Sequence, residues 1–426
     1  MASVLIVGGE GRAHALGWKL AQSPLVEQIY FAPGNGGTGA VGENLPIEVN
    51  DLSGLLKFAK KTKIDLTVVS PEQPLVDGIV DLFEAAGLPI FGPSAKAAMI
   101  EGSKVFSADF MLRHNIPHPA STPVSTLAEA KDYIKNRSPK DYVIKADGLA
   151  AGKGVIVPKA QAEAETALIK IMQKSILGEA GRQIVFQERL RGQEVSAFAL
   201  SDGQKIIMLP FVQDHKQVFD GDRGPNTGGM GAYGPLPFMT SQLAERIKTE
   251  IMQPAIDGMR ADGTPYRGLL YGGLFITEVG EPKAIEFNCR FGDPECQVLM
   301  MLVDEDLYPI LMGCAQGNLT KDSIKLKTGS AAIVCLASKG YPGTAETGYE
   351  VKGLDKIKDP NVMIFHAGDK KENGKVITSA GRVLGVTAYG KDLKGALSKA
   401  YAQIGPKGIH FEHMHFRKDI GFRVLG

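Results

Sequence analysis

The chain has 426 residues, 44% of them hydrophobic and 22% charged, and it carries a formal net charge of +1. A chain of this length exceeds one compact core, so two to four domains are expected. The near-neutral charge balance gives no electrostatic basis for a nucleic-acid or membrane-surface partner, and we predict neither.

The first hundred residues alternate short apolar runs with segments of helical spacing. Strands are predicted in SVLIVGG, VEQIYFAPG, IDLTVVSPEQPL and LPIFGPS, and the first is followed by a helical pattern in RAHALGWKLAQS. Strands that alternate with helices in this way form a parallel sheet covered on both faces. Residues 1–102 are therefore predicted to form one parallel-sheet domain.

The middle of the chain, residues 103–325, is predicted to form a second unit. A helix ends before Pro117, and the β-rich hairpin DYVIKADGLAAGKGVIV with the helix AEAETALIKIMQKSI predicts a small α+β lid over about residues 120–193. The segment DHKQVFDGDRGPNTGGMGAYGPLP has many glycines and almost no periodicity, so we predict a loop there. Structureless loops of that length are usually functional or disordered. Strands followed by a helix in residues 326–426 predict a last domain.

The cysteines and the N-terminus both indicate the cytoplasm. The four cysteines lack the spacing of a zinc site and have no histidine cluster beside them, so reduced thiols are expected at Cys289, Cys296, Cys314 and Cys335. The N-terminal MASVLIVGGEGR lacks the basic-then-apolar build of a signal peptide, and no run reaches the ~18 apolar residues of a membrane helix. We therefore expect a cytoplasmic protein.

The motif GGEGRAHA joins the first strand to a helix through glycines and Arg12. Backbone amides and a helix N-terminus in such a turn can hold a phosphate, because glycine lets the anion reach the backbone. Gly9, Gly11 and His14 do not complete the G-x-G-x-x-G dinucleotide fingerprint. A phosphate site and a tight strand-to-helix turn without a ligand both stay open here.

Two further motifs are compatible with a nucleotide cleft. In VIKADGLAAGKGV, Lys145 ends a strand and Lys153 lies in a glycine hairpin, which suits phosphate binding, although an exposed turn with a solvated lysine has the same pattern. Neither Ser nor Thr follows Lys153, so this is not a Walker A loop. In QERLRGQEVS, Glu194 follows a strand and a turn; its carboxylate could hold ribose hydroxyls or belong to a surface hairpin.

The stretch EFNCRFGDPECQ places polar residues at the end of a predicted strand, where open α/β sheets bind ligands. Glu286 and Asn288 are two residues apart on that strand, so their side chains point to the same face. Two oxygen ligands, with the other positions left to phosphate and water, suit Mg²⁺. Arg290 would meet the same ligand with a bidentate fork. A carboxylate–arginine surface pair is the alternative.

Seven blocks resemble, in order, the phosphoribosylamine–glycine ligase (glycinamide ribonucleotide synthetase) family of the ATP-grasp superfamily: APGNGGT, PEQPLVDGIVD, FGPSAKAAMIEGSK, KADGLAAGKGV, GPNTGGMGAYGP, EFNCRFGDPE and GRVLGVTAYG. The resemblance covers nearly the whole chain. It implies an α/β ATP-grasp architecture with an N-terminal Rossmann-like parallel-sheet domain, a central two-part ATP-grasp with a hinged α+β lid, and a C-terminal α/β domain. It also implies an ATP-dependent ligase that joins glycine to 5-phosphoribosylamine through glycyl phosphate, in the second step of de novo purine biosynthesis.

The resemblance also implies roles for individual residues. By this resemblance, Glu286 and Asn288 would bind Mg²⁺ or Mn²⁺. ATP binding falls to Lys104, Lys145, Lys153, Glu188, Leu190 and Glu194. Substrate binding falls to Gly9, Gly11, Arg12, Asp214, Lys216, Asn226, Gly228, Gly229, Arg290 and Asp293. Catalysis falls to Arg290, Lys145 and Asp214, and the family implies a monomer.

Two other functions are weighed against this one. Another ATP-grasp carboxylate–amine ligase would lack the blocks RFGDPE and GPNTGGMGAYGP. A catalytically silent nucleotide-binding homologue would have little need of the full set Lys104, Lys145, Glu286, Asn288 and Arg290. Because the chain ends soon after the last domain, at DIGFRVLG, we expect no further enzyme domain.

The sequence departs from the family's usual pattern at six positions: Glu10, Ala13, Ser70, Ala108, Gln187 and Gln217. Glu10 and Ala13 lie in the first loop, where a carboxylate beside a phosphate site is unfavourable unless it points away. None of the six removes a predicted metal or phosphoryl-transfer residue. We interpret them as sequence drift.

Overall fold

The computed structural model describes residues 1–149, 154–174, 176 and 178–425. Within these residues, no helix combines the length and the hydropathy that crossing a bilayer requires. The cysteines at all four positions are buried and free.

The N-terminal part is a five-stranded sheet in the order β3-β2-β1-β4-β5, and each pairing is parallel. Its elements are β1 (Ala2–Gly8), α1 (Gly11–Leu20), β2 (Val26–Pro33), β3 (Glu43–Asn44), α2 (Leu52–Thr62), β4 (Leu66–Val69), α3 (Glu72–Val76), α4 (Ile79–Glu84), β5 (Ile90–Phe91), α5 (Ala95–Gly102) and α6 (Lys104–Arg113). The run Val4–Val7 in the central strand is wholly buried, which is why its sequence is continuously apolar. The predicted parallel sheet is confirmed, and α6 ends before Pro117 as expected.

A second, smaller sheet in the order β6-β9-β7-β8 has a hydrophobic core of its own. Its elements are β6 (Ser121–Val124), α7 (Leu127–Lys135), β7 (Tyr142–Ala146), β8 (Val155–Ile156), α8 (Gln161–Leu168) and β9 (Ile184–Glu188). Tyr133 on α7 stacks on Phe186 of β9 with the ring centroids 4.0 Å apart. We call this sheet with its two helices the lid, as in the sequence-based expectation.

The central sheet has four antiparallel strands: β10 (Gly192–Asp202), β11 (Ile206–Met208), β16 (Arg267–Thr277) and β17 (Pro282–Asn288). Their order across the sheet is β11-β10-β16-β17. The other elements of this part are β12 (Gln213–Asp214), β13 (Gln217–Phe219), β14 (Arg223–Asn226), β15 (Gly231–Gly234), α9 (Ser241–Ile247), α10 (Gln253–Ala261), α11 (Glu295–Leu302) and α12 (Leu307–Gln316). Short 3₁₀ or π segments occupy Thr38–Ala40, Ile169–Gln173, Gly178–Gly181, Lys248–Met252 and Leu354–Lys356.

The glycine-rich segment is not the loop that its sequence predicts. It forms the four short strands β12 to β15, of which β13 and β14 pair as a hairpin. The other two, β12 and β15, pair with each other, and β15 also pairs with a strand of the C-terminal part. Strands of two to four residues are too short for periodicity to reveal, and one of them, β15, also pairs with a strand that is distant in the chain.

The C-terminal part completes a five-stranded antiparallel sheet in the order β12-β15-β18-β22-β19. Its elements are β18 (Ser330–Ala337), β19 (Val362–His366), β20 (Asp369–Glu372), β21 (Lys375–Thr378), β22 (Arg382–Gly390), α13 (Leu393–Ala402) and α14 (Phe422–Leu425). The predicted domain boundaries near residues 102 and 325 stay predictions.

Candidate active site

A cavity of about 340 Å³ lies beside the carboxyl end of β17. All parts of the fold contribute to its lining: the lid, the central sheet, the N-terminal helices and the first residue of β22. The predicted site residues that line it are Arg12, Lys104, Lys145, Asp214, Lys216, Gly228, Glu286, Asn288, Arg290 and Asp293. Tertiary structure therefore gathers most of the predicted set in one place.

The predicted metal ligands are neighbours on β17, and both line the cavity. The side-chain nitrogen of Asn288 is buried without a hydrogen-bond partner in the structure, while its oxygen accepts a bond of 3.3 Å from Arg290. In the described part of the chain, no group of three or more His, Cys, Asp or Glu side chains could hold a metal ion. A carboxylate and one amide oxygen fit Mg²⁺, which takes its remaining ligands from phosphate and water.

The two predicted phosphate lysines lie on different elements, and both line the cavity. Lys104, at the start of α6, donates a hydrogen bond of 3.0 Å to the carbonyl oxygen of Gly148. Lys145, on β7, donates one of 2.8 Å to the carbonyl oxygen of Ile285, next to the predicted metal ligand Glu286. Burial lowers the pKa of Lys145 to about 8, although Glu286 acts in the opposite direction. Both amines are suited to an anionic ligand between them.

Buried charges join the predicted ribose and substrate residues. The amine of Lys216 donates to the carboxylate of Glu194. Burial opposes the charged form of Lys216, but Glu194 and Asp214 outweigh it and raise the pKa of Lys216 well above its usual value. For Asp214, burial raises the pKa against the pull of Lys216, and the carboxylates of Glu295 and Glu194 raise it further. Asp214 is thus a carboxyl group that can hold a proton near neutral pH.

The two predicted adenine residues, Glu188 and Leu190, are not among the described residues that line the cavity. The strand β9 contributes Val185 and Gln187 to the lining instead. The Glu188 side chain is exposed and accepts a hydrogen bond of 3.2 Å from the amide of Ala120. The predicted contact of the Glu188 and Leu190 backbone with adenine stays a prediction. Lys153 lies outside the described residues.

Protein carboxylates occupy the donors of the first loop. The Glu10 carboxylate accepts bonds of 2.9 Å from the Gly9 amide, 3.0 Å from Arg12 Nε and 2.6 Å from Ser70 Oγ. The amide of Arg12, in the first turn of α1, donates to Asp293 at 3.1 Å. A substrate phosphate at these donors would have to replace a carboxylate, so the assignment of Gly9, Gly11 and Arg12 stays a prediction.

The positions at which the first loop departs from the family pattern meet in space. A Cβ atom built on Gly8 would lie 2.9 Å from the Glu10 carboxylate, 2.9 Å from Ser70 Cβ and 3.1 Å from Ala13 Cβ. Because Gly8 also has a φ of 145°, this crowded turn tolerates no side chain there. Glu10, Ala13 and Ser70, which all depart from the family pattern, therefore surround the same glycine. Their contact favours one coupled change over three independent ones.

The guanidinium of Arg290 is held by two carboxylates from the N-terminal part. It donates a bond of 3.1 Å to Glu72, at the start of α3, and one of 2.8 Å to Glu101, near the end of α5. Burial opposes the charged form, yet these carboxylates raise the pKa of Arg290 above its usual range. Glu101 also accepts a hydrogen bond of 2.7 Å from the amide of Cys289, so it fixes the chain just beyond the predicted metal ligands.

Four charged residues without a role in the sequence-based prediction also line the cavity: Glu72, Glu101, Glu295 and Arg382. A signal was present, because Glu72 and Glu101 lie in the blocks PEQPLVDGIVD and FGPSAKAAMIEGSK, and Arg382 in GRVLGVTAYG. A charged residue in a helical or strand pattern usually faces solvent, so its role depends on which element packs against it. Asn226 lines a neighbouring groove instead of the cavity.

Three profiles of one known family match consecutive parts of the chain. They are described as Phosphoribosylglycinamide synthetase N domain, at residues 2–101, ATP-grasp (A) domain, at 102–296, and C domain, at 331–423. The chain belongs to the phosphoribosylglycinamide synthetase family.

The chain matches relatives of different lengths. It is 46% identical to the phosphoribosylamine–glycine ligase of Yersinia pestis over 99% of both chains. It is also 46% identical to a bifunctional purine biosynthetic protein of Schizosaccharomyces pombe, of which it spans 53%, and to the human trifunctional purine biosynthetic protein adenosine-3, of which it spans 42%.

Solved structures agree with the family assignment. The crystal structure of phosphoribosylamine–glycine ligase from Thermotoga maritima matches with a TM-score of 0.83 and 34% identity, over 98% of this chain and 99% of that one. A biotin carboxylase from Campylobacter jejuni matches with a TM-score of 0.74 at 13% identity, over 97% of this chain and 93% of that one. The second similarity concerns the fold alone, which is that of the ATP-grasp enzymes.

Proposed function

We propose that this chain is an ATP-dependent ligase that joins glycine to 5-phosphoribosylamine and releases ADP, phosphate and glycinamide ribonucleotide. The observation that carries the proposal is the cavity at the end of β17, where Glu286 and Asn288 face Lys104 and Lys145. Relatives of matching length that are named phosphoribosylamine–glycine ligase support the choice of substrates.

Formation of the acyl phosphate comes first in this proposal. A glycine carboxylate oxygen attacks the γ-phosphorus of ATP, the bond to ADP breaks, and glycyl phosphate forms. Lys104 and Lys145 hold the phosphate oxygens in position, and Arg290 neutralises charge on the transferred group. Glu286 and Asn288 are the residues that would hold Mg²⁺ or Mn²⁺, which when bound supplies further charge neutralisation on phosphate oxygens.

Transfer to the amine follows. The nitrogen of 5-phosphoribosylamine attacks the glycyl carbonyl carbon, and the C–O bond to phosphate breaks. The attacking nitrogen must lose a proton, and Asp214 at the cavity can accept it when it enters the step as the carboxylate, the form that the Lys216 ammonium favours against burial. Glycyl phosphate and phosphoribosylamine are both labile in water, so closure of the lid over the cavity would protect them.

Further parts of the proposal concern the whole protein. ATP and Mg²⁺ are the cofactors, glycine and phosphoribosylamine the only substrates besides ATP, and the protein acts as a monomer in the cytoplasm. The adenine would lie between β9 and the central sheet, near Glu188 and Leu190, with its ribose at Glu194.

The deciding experiment measures ADP release with ATP, Mg²⁺ and glycine, with and without phosphoribosylamine generated in the cuvette. We expect release only when both glycine and phosphoribosylamine are present, with glycinamide ribonucleotide in the mass spectrum. ADP release that needs glycine but not phosphoribosylamine would show that phosphoribosylamine is not the acceptor. The protein would then be another ATP-grasp ligase. No release with any of these substrates would leave a nucleotide-binding homologue.

A further inference from the structure

Two side chains of the C-terminal part hold the backbone of the glycine-rich segment at the cavity. The hydroxyl of Tyr341 accepts a hydrogen bond of 2.8 Å from the amide of Gly228. Arg382 donates one of 2.7 Å to the carbonyl oxygen of the same Gly228. Both backbone polar groups of one glycine are therefore fixed by side chains more than a hundred positions away in the chain. We call Tyr341 and Arg382 the clamp.

The same guanidinium also holds the turn after β17. Arg382 donates to the carbonyl oxygens of Gly229, at 3.2 Å, and Asp293, at 2.6 Å. Its second nitrogen lies 3.2 Å from the Asp293 carboxylate, whose side chain is only 7% exposed. That carboxylate in turn accepts the amide of Arg12 from the N-terminal part at 3.1 Å. One arginine thus connects the C-terminal part, the central part and, through Asp293, the first helix.

The clamp reaches predicted substrate residues through the backbone. Thr227 Oγ1 donates a bond of 2.8 Å to the carbonyl oxygen of Lys216 and accepts one of 2.9 Å from the amide of Gly229. A Cβ atom on Gly229 would lie 2.4 Å from Pro294 Cδ, and the residue has a φ of 114°, so the loop fits closely against the turn. Displacing Gly228 would therefore displace both Lys216 and the turn that carries Asp293.

We propose that Tyr341 and Arg382 are positioning residues for the acceptor half of the reaction, and that the C-terminal part completes the active site through them. This inference rests on the proposed function. Among the described residues, no direct hydrogen bond links the clamp to the nucleotide half, at Lys104, Lys145 and the predicted metal ligands. Removing the clamp is therefore expected to impair the transfer of glycine and to leave nucleotide binding intact.

The test uses Tyr341→Phe, which removes one oxygen atom, Arg382→Lys, which keeps the charge but loses the fork, and the double variant. Matched controls are Tyr349→Phe, whose hydroxyl contacts only the exposed Glu346 among described residues, and Arg246→Lys, in a surface pair with Glu250. We expect kcat to fall ~10-fold for Tyr341→Phe and up to ~100-fold for Arg382→Lys, because small misplacements of reacting groups cost that much. The dissociation constant for ADP should stay within about twofold of the wild-type value.

Two further readouts separate positioning from simple loss of stability. The double variant should lose less activity than the product of the single losses, because both side chains act on Gly228. Hydrogen exchange of a peptide that spans residues 227–229 should be faster in each clamp variant and unchanged in both controls. Wild-type kcat and exchange in Tyr341→Phe and Arg382→Lys, or an ADP affinity that falls as much as kcat, would overturn the clamp.

Failure of the proposed function would be seen separately. If the wild-type protein shows no turnover that depends on phosphoribosylamine, the substrate assignment fails whatever the variants do. The hydrogen-exchange comparison then decides the clamp alone: faster exchange at residues 227–229 supports it, and equal exchange overturns it.

Discussion

Glu286 balances buried cations whether or not a metal ion is bound. Burial acts to raise its pKa, but Lys145, Lys216 and Lys104 outweigh it and lower the pKa of Glu286 to about 2. The carboxylate is therefore ionised throughout the neutral range, which is the state that a metal ion requires.

Replacing Glu286 by Gln tests the metal assignment, because the amide keeps the shape and loses the charge. We expect kcat to fall at least ~100-fold, with the largest loss at low Mg²⁺. The measurement is ADP release across a Mg²⁺ titration, beside thermal unfolding as a check on the fold. The control is Glu278→Gln, an exposed carboxylate in the turn between β16 and β17, which should behave as wild type. Wild-type turnover in a folded Glu286→Gln variant would place the metal elsewhere.

The lowered pKa of Lys145 predicts a pH dependence for nucleotide binding. Its pKa in the free protein is about 8, below the usual value, so the ammonium is present below that pH and is lost as the pH rises through it. Affinity for ATP should therefore fall above pH 8, by up to about tenfold per pH unit. Titration calorimetry at several pH values measures it.

Lys145→Arg provides the comparison, because arginine stays charged over the whole range. Its ATP affinity should be flat where that of the wild type falls. Lys159→Arg, on the exposed surface of the lid, should keep the wild-type profile. Parallel profiles for wild type and Lys145→Arg would show that another group controls binding.

At the scale of the element, the lid helix α7 has a complete capping box. The Thr126 hydroxyl accepts the amide of Glu129 at 3.2 Å, and the Glu129 carboxylate accepts the amide of Thr126 at 3.1 Å. Such a box satisfies amides that the first helical turn leaves unpaired. It stabilises a small sheet that has only its own core beneath it.

Thr126→Ala should weaken the lid by about 1 kcal/mol, the usual cost of losing an N-cap. The expected result is faster hydrogen exchange in α7 without a matching change in the central sheet. Thr166→Ala is the control, since among the described residues that hydroxyl bonds only the carbonyl oxygen of Ala162 within α8. Equal exchange in the two variants would show that packing, such as the stack of Tyr133 on Phe186, stabilises α7 without its cap.

The strands β12 to β15 show what periodicity predicts and what it misses. Long strands such as β10 and β16 contain enough residues for their pattern to be recognised, and the parallel strands of the N-terminal sheet read as continuous apolar runs. In the segment 213–234, most strand pairs form with residues far away or across tight glycine turns. Local sequence contains no information about those partners, so a loop was the natural prediction there.

At the scale of the whole molecule, Asn35 joins the first and last parts of the chain. Its side-chain nitrogen donates bonds of 2.8 Å to the carbonyl oxygens of Gly9 and His366. Its oxygen accepts the amides of Gly37, at 2.9 Å, and Thr38, at 3.1 Å. One buried amide therefore satisfies four backbone groups.

Asn35→Ala should lower the free energy of unfolding by about 2 to 4 kcal/mol, because buried donors and acceptors would lose their partners. Urea denaturation with the slope and midpoint both fitted is the measurement. Asn136→Ala, at the exposed end of α7, is the control and should change stability by less than about 0.5 kcal/mol. An equal, small effect of both substitutions would mean that water replaces the lost bonds at Asn35.

Most of the site residues that were predicted from the sequence line the cavity. Residues two apart on a strand share a face whatever the fold, so Glu286 and Asn288 could be paired from their spacing alone. Lys104, Lys145 and Arg290 followed from the resemblance, and the structure brings them to the same cavity. Glu188 and Leu190 were also named from the resemblance, yet the described lining contains their neighbour Gln187 instead.

The sequence by itself determined the parallel N-terminal sheet, the strand on which Glu286 and Asn288 share a face, and the family, because these depend on local periodicity and contiguous motifs. Only the tertiary structure decided that Glu72 and Glu101 hold Arg290, that Glu10 occupies the donors of the first loop, and that Arg382 and Tyr341 fix Gly228. The physical reason is the same in each case. The local sequence does not say which partner a charged or hydroxyl side chain will have. Its role depends on which backbone group or side chain from a distant part of the chain is buried beside it.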